Sequence, residues 1–493
     1  MTEPAGIRAF VAQHADELAA DLDEWLRIPG ISAQPQYHPD VQRSADWLAA
    51  AFTRTGLPVA EVWPTDGLPA VYAEWPSEDP GAPTVLVYGH HDVQPVDPLE
   101  LWEHPPFTPT RAVVDGVEIL RARGASDDKG QLLFHLLGLR AHLAQRAAQG
   151  KTTPAVTLKF LIEGEEESGS PNLAALMTQR RNRLDADVVV ITDTGMLGAD
   201  VPSACTGMRG LVSCRVDFAG PGLDLHSGVF GGAVPNPATA LARLVAALHD
   251  DDGRVQVPGF YDDVLPLSDA ERALFARIPF NEAEFLATAH SRALFGEVGQ
   301  TTLERLGARP TAEVNGIWSG YMGPGGKTIV PSDAHVHLSF RLVANMDRAA
   351  VTAGVDQFVA EHTPAGITAV VEWNSQGVAP LVVGIDTPAY GALQRSITRA
   401  FDGLAVLPTR EGGSGPEAQI EQIIGAPLIF LGVGLPDDQI HAPNEKVTVS
   451  MLHKGAEAAA YLWADLARTD LSARTDLSAR TDLSARIDLE GPA

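Results

Sequence analysis

Four short apolar runs, at residues 84–88, 156–162, 188–191 and 427–434, alternate with stretches of helical periodicity, and each run ends abruptly in polar residues. Strands alternating with helices predict a mostly parallel sheet in an α/β protein. An opening helix fits residues 7–26, where Phe10, Val11, Leu18, Leu22 and Trp25 recur at three- and four-residue steps before Pro29-Gly30 stops it. A second helix follows around residues 41–52, and Leu132, Leu133, Leu136 and Leu139 mark a third between the first two central strands.

The pattern changes after Gly207. Residues 211–218 and 334–343 alternate as half-buried strands, 237–248 and 348–362 read as helices, and 367–373 as another strand. Residues 382–388 offer a crossing back, 427–434 resemble the strands of the first unit, and 449–467 form a closing amphipathic helix. A chain of 493 residues exceeds what one core usually organises. The expected organisation is one unit at residues 1–207 and 383–467, a second α/β unit inserted at 208–382, and a tail at 468–493. The tail holds three copies of Arg-Thr-Asp-Leu-Ser-Ala between Arg468 and Ala485. A six-residue period presents no continuous apolar stripe on a helix, so a solvated or loosely helical extension is expected, with a partner-binding segment as the alternative.

Composition excludes several classes. An apolar fraction of 45% and a charged fraction of 20% are ordinary for a globular chain. The formal net charge of −27 repels phosphate backbones and anionic lipid, so neither nucleic acid nor a membrane surface is an expected partner. The first ten residues lack a signal-peptide core and no apolar run approaches a membrane span, which makes the cytoplasm the default compartment. Cys205 and Cys214 are too few for a disulfide framework and wrongly spaced for a thiolate metal site, and read as reduced structural thiols.

The strand ends carry the chemistry. The first discharges into Gly89-His90-His91-Asp92, where Asp92 is placed to orient the His90 imidazole as a metal ligand. Arg123-Gly124-Ala125-Ser126-Asp127-Asp128-Lys129-Gly130 delivers two adjacent carboxylates before a helix, as ligands or as a helix cap. Residues 163–170 crowd Glu163, Glu165, Glu166 and Glu167 into one loop, an arrangement that cations would relieve unless it is simply solvated. Asp193 follows the run at 188–191, and His441 follows the last run. Each signal alone has a bland alternative, but five converge on one sheet edge. Imidazole and carboxylate without thiolate suit Zn²⁺, with Mn²⁺ or Co²⁺ acceptable, and two such ions can share a carboxylate and a water.

Gly89-His90-His91-Asp92, Ala125-Ser126-Asp127-Asp128-Lys129-Gly130 and Glu165-Glu166-Glu167-Ser168-Gly169 resemble the signature of the aminoacylase and carboxypeptidase G family of co-catalytic metallopeptidases, nearest its carnosinase and cytosolic nonspecific dipeptidase branch. Asp224-Leu225-His226-Ser227-Gly228, Arg341-Leu342-Val343, Arg410-Glu411-Gly412-Gly413-Ser414 and Asn444-Glu445-Lys446 extend the likeness over all but the tail. The resemblance implies a zinc-peptidase catalytic domain with an inserted ferredoxin-like lid and dimerisation domain. It implies that Asp127 bridges two metals, that Glu167 and His441 complete one site, and that His90 and Asp193 complete the other. It also implies a cis peptide after Asp127, Glu166 as general base, and a homodimer in which His226 stabilises the oxyanion in the partner's site.

Arg341 suits a substrate's terminal carboxylate, with Thr328 and Ser414 as its companions in a clamp, although a structural salt bridge is the alternative for the arginine. Asp193, where relatives with carboxypeptidase or deacylase activity carry Glu, favours a free amino terminus. The expected substrate is therefore a dipeptide or very short peptide. The alternatives are an N-acyl or N-carbamoyl amino-acid amidohydrolase with the same dinuclear site, and a metal-dependent binding protein that would have no use for Glu166. His91 and the Gly195-Met196 pair depart from the family pattern and are expected to reshape the substrate pocket.

Overall fold

The centre of the first unit is a six-stranded sheet in the order Val59–Trp63, Ala70–Trp75, Thr157–Glu163, Thr84–His90, Val188–Ile191 and Leu428–Phe430. The last four run parallel, while Ala70–Trp75 is antiparallel to both its neighbours. The structure, a computed structural model, describes residues 4–374 and 377–471. The described residues form two compact units, 4–206 with Val383–Thr409 and 416–471, and Gly207–Val382 with Arg410–Gly415.

The parallel strands are apolar on successive residues because both faces are covered. Val85, Val87, Leu158, Phe160, Val188 and Val190 are fully buried in a core that also takes Leu132, Leu133, Leu136 and Trp463 from the helices Lys129–Ala147 and Val449–Leu466. Each such side chain contributes about 1.5–3 kcal/mol by leaving water. Glycine lets these two helices approach. A Cβ on Gly138 would lie 2.7 Å from the Ala456 carbonyl oxygen, and one on Gly455 2.8 Å from the Phe134 ring. The opening helix is two helices, Pro4–Gln13 and Ala15–Leu26, because His14 leaves helical geometry and its Nδ1 lies 2.8 Å from the Phe10 carbonyl oxygen. Beyond Leu471 the repeats lie outside the described residues.

The second unit is built on an antiparallel sheet in the order Thr311–Ser319, Asp333–Leu342, Gly210–Ala219, Thr368–Trp373, with helices Pro237–Ala247 and Arg348–Glu361 in the crossovers. In chain order this is β-α-β-β-α-β, the ferredoxin-like arrangement. Val212, Val216, Phe218, Val336, Leu338 and Phe340 face the core and alternate with partly exposed residues. Residues 410–415, expected in the first unit, belong to the second: the Arg410 guanidinium donates to Glu271 at 2.5 Å, and Arg341 Nη1 to the Ser414 hydroxyl at 2.8 Å. Cys205 and Cys214 are free and buried. Among the described residues no helix is long and apolar enough to cross a membrane.

Candidate metal centre

Parallel register brings the ligands to one edge. His90 pairs with Glu163, Tyr88 with Ile191 and Phe430 with Ile191, so the segments that follow emerge together at the carboxyl ends of the strands. Asp127 arrives from a different direction, in the loop before the helix Lys129–Ala147.

Asp127 faces two imidazoles with its two oxygens: Oδ1 is 3.0 Å from His90 Nε2 and Oδ2 is 2.9 Å from His441 Nε2. Asp193 Oδ2 lies 3.7 Å from His90 Nε2, and Glu167 Oε2 lies 3.4 Å from His441 Nε2. Ligand atoms of His90, Asp127 and Glu167 fall within 4.8 Å of one another, as do those of His90, Glu166 and Asp193. All five expected ligands and Glu166 are thus brought together. The peptide between Asp127 and Asp128 is cis.

The cluster carries more negative charge than protein groups can offset. Burial, then the neighbouring Asp193, Asp92 and Glu163 carboxylates, push Glu166 well above the ordinary carboxylate range. Burial, then Asp127, Glu166 and Asp92, do the same to Glu167. Burial also opposes charge on Asp127 and His90, but the imidazoles hold Asp127 low and the carboxylates of Asp127 and Asp92 hold His90 high. Glu167 Oε1 is buried without a hydrogen-bond partner. A set of imidazoles and carboxylates with surplus negative charge and an orphaned buried oxygen fits two divalent cations. Their residues would be His90, Asp193 and one Asp127 oxygen, and His441, Glu167 and the other.

The surrounding bonds refine the sequence reading. Asp92 lies 3.4 Å from His90 Nδ1 through Oδ1, yet the nearer partner of that nitrogen is the Asp92 backbone carbonyl at 3.1 Å. The Asp92 carboxylate also accepts the backbone N–H groups of Glu166 and Glu167 at 3.3 and 3.1 Å, which ties His90 to the turn Glu166–Ser168. Asp128 does not cap its helix. Its Oδ2 accepts the Thr192 hydroxyl at 2.6 Å and the His90 N–H at 3.3 Å. Gln94, not singled out from the sequence, donates to Glu167 Oε2 at 2.5 Å. His91 and Met196 are buried. His91 Nε2 lies 2.9 Å from the Pro69 carbonyl oxygen, and a Cβ on Gly195 would meet the Gly434 carbonyl oxygen at 2.9 Å.

The remaining candidates lie in the second unit and fall into two groups. His226 is exposed, and its Nδ1 accepts the Gly228 N–H at 3.0 Å, which in a neutral ring leaves the proton on Nε2. Leu225–His226 pairs with Ile329–Val330, and Ser227 donates to the Thr328 carbonyl at 3.1 Å, so exposed Thr328 belongs beside His226. Arg341 and Ser414 meet near the other end of Asp333–Leu342, a strand spanning about 30 Å at about 3.3 Å per residue. The three-residue clamp is therefore not assembled within one chain's second unit.

Arg209 joins the Arg341 group and was missed. Its backbone N–H donates to Gly413 at 3.1 Å, its Nε to Gly412 at 3.3 Å, and its carbonyl accepts the Ser414 hydroxyl. Burial and then the Arg341 charge bring its pKa down to about 10. Burial also lowers that of Arg341. Among the described residues neither guanidinium is in an ion pair, so the two together offer a place for an anion. Only the Arg-Gly dipeptide before a strand marks this residue in sequence.

This fold with this cluster defines a metal-dependent peptidase. The chain belongs to peptidase family M20/M25/M40, whose profile matches residues 86–465. It is 30% identical over 457 residues to a Cys-Gly metallodipeptidase of Schizosaccharomyces pombe, covering 89% of this chain and 93% of that one. It is 30% identical over 476 residues to the Beta-Ala-His dipeptidase of Homo sapiens, covering 93% and 92%. Among solved structures, an M20 family metallo-carboxypeptidase of Sulfolobus solfataricus superimposes with a TM-score of 0.79 at 30% identity, over 92% of this chain and 99% of that one.

Proposed function

We propose that the chain hydrolyses dipeptides held by both termini, using two Zn²⁺ ions in the His90–Asp193 and His441–Glu167 positions with Asp127 shared. The observation that carries this reading is the orientation of Asp127, each oxygen about 3 Å from a different imidazole. When bound, the ions supply Lewis acidity to the scissile carbonyl and lower the pKa of the attacking water. Glu166 takes that water's proton on its carboxylate and returns it to the departing amine. Asp92 holds the turn that presents Glu166. Arg341, with Arg209 and Ser414 beside it, takes the substrate's terminal carboxylate.

His226, its Nε2–H free to donate, supplies the oxyanion bond in the site of the partner in a homodimer, with Thr328 next to it. The separation of the His226 and Arg341 groups along Asp333–Leu342 supports this division, because a dipeptide is far shorter than the strand. Cys-Gly and β-Ala-His, the dipeptides in the names of two relatives, have unlike side chains and a common pair of termini, which supports recognition by the ends.

The test is Glu166→Gln with metal content measured beside turnover. Expected are two ions retained and kcat down by about 10²–10⁴. Unchanged kcat removes Glu166 from the base role, and turnover of N-acyl amino acids in place of free dipeptides by the parent enzyme replaces the dipeptidase reading with the amidohydrolase one.

A further inference from the structure

Glu445 is fully buried, lies four residues beyond His441, and sends its whole carboxylate into the loop that carries Asp127. Oε2 accepts Arg123 Nη1 and the Gly124 N–H, both at 2.8 Å, and Oε1 accepts the Ser126 and Asp127 N–H groups at 3.0 and 3.1 Å. On the other side of His441, buried Asp438 accepts the Ser126 hydroxyl at 2.8 Å, the Leu435 N–H at 2.8 Å and Lys446 Nζ at 2.9 Å. The chain between these two carboxylates is strained: Gln439, His441 and Asn444 have φ of 56°, 62° and 68°. Left-handed conformations at non-glycine residues persist only where surrounding contacts enforce them.

We propose that Glu445, assisted by Asp438, is a positioning residue that latches the His441 segment to the Asp127 loop and so sets the His441–Glu167 half of the metal centre. The inference rests on the two-ion reading above and deepens it. Sequence alone marks Glu445 as part of a matching motif without a task. Its bonds supply one, because His441 has no place in the sheet and reaches Asp127 only by way of this segment. Asp127 serves both halves, but the other two groups of the second half are anchored apart from the latch, His90 by its strand and Asp193 by the segment following Val188–Ile191. Loosening the latch therefore weakens one ion more than the other, as orienting residues around metal ligands commonly do by about 10- to 100-fold.

The experiment titrates chelated full-length protein with Zn²⁺ alone and counts bound ions by elemental analysis. It compares the parent with Glu445→Gln, Arg123→Met/Glu445→Gln and Ser126→Ala. The double variant removes both members of the buried ion pair, so no unpaired charge is left to prevent folding, and Ser126→Ala removes only one bond of the latch. Expected are a weaker site that loses about 10- to 100-fold in affinity in both Glu445 variants and less in Ser126→Ala, and a tighter site changed by less than about threefold. A Glu304→Gln control breaks the ion pair between buried Glu304 and exposed Arg272 elsewhere and should lower the melting temperature with the affinity ratio intact. Affinities that are unchanged, or that fall together by one factor, overturn the latch. A parent chain that binds fewer than two ions overturns the two-ion reading and the latch with it.

Discussion

The candidate metal centre of the first unit and the candidate substrate residues of the second are built on different plans. In the first unit His90, Asp92, Asp127 and Glu167 are buried or nearly so, Asp193 is partly buried and His441 exposed, and each is bonded to or faces another member of the cluster or the backbone beside it. In the second unit His226 and Thr328 are exposed, and Arg341 and Arg209 hold charge that, among the described residues, no carboxylate of their own unit neutralises by an ion pair. A site that must hold two ions at fixed spacing is served by mutual constraint. On the proposed function, the second unit's surface receives a changing ligand and a second subunit, and groups left incomplete serve that task.

The largest effect expected from this contrast concerns His226. His226→Ala should lower kcat by about 10²–10³ with both ions retained. Mixing it with Glu166→Gln chains should restore about a quarter of parent activity, since half of randomly paired dimers are mixed and each has one complete site. No recovery on mixing, with mixed dimers verified, would place the His226 role within one chain and erase the division drawn above.

Next in size is Arg341→Met. It should raise KM for free dipeptides by about 10- to 100-fold, corresponding to the loss of a charged hydrogen bond, and leave dipeptide amides and metal content nearly unaffected. Equal losses for acids and amides would count against the carboxylate role.

The smallest effect tests the constrained region alone. Burial brings His135 down to about 3 and His142 down to about 4, both on the helix Lys129–Ala147. Their unfolded counterparts bind protons from about pH 6.5 downward while the folded ones stay neutral, so stability is lost as pH falls from about 6.5 towards 4. In chelated protein, His135→Leu should flatten the fall in melting temperature over that range relative to the parent. An identical slope would remove His135 as a source of acid sensitivity.

Much of this was legible in local sequence. The apolar runs at 84–88 and 188–191 locate the strands, and the polar residues directly after them locate His90 and Asp193, because a parallel strand delivers its next residue to the active edge. What escaped depends on distant pairings. Nothing near Gln94 announces Glu167, and nothing near Asp128 announces Thr192, residues 73 and 64 positions apart that meet only in the folded sheet. Arg209 is similar, since its loop partners lie some 200 residues away. His91 stood out only as a departure from the family pattern, and its bond to Pro69 and packing against Gly164 again depend on residues distant in sequence.

The bonds from Glu445 to residues 123–127 span about 320 positions of chain. A ribosome releases Asp127 long before it releases His441 and Glu445, and the whole second unit is translated in between. A nascent chain that has not yet reached His441 therefore lacks one wall of this cluster, and that wall can close on Asp127 only after the second unit has been made.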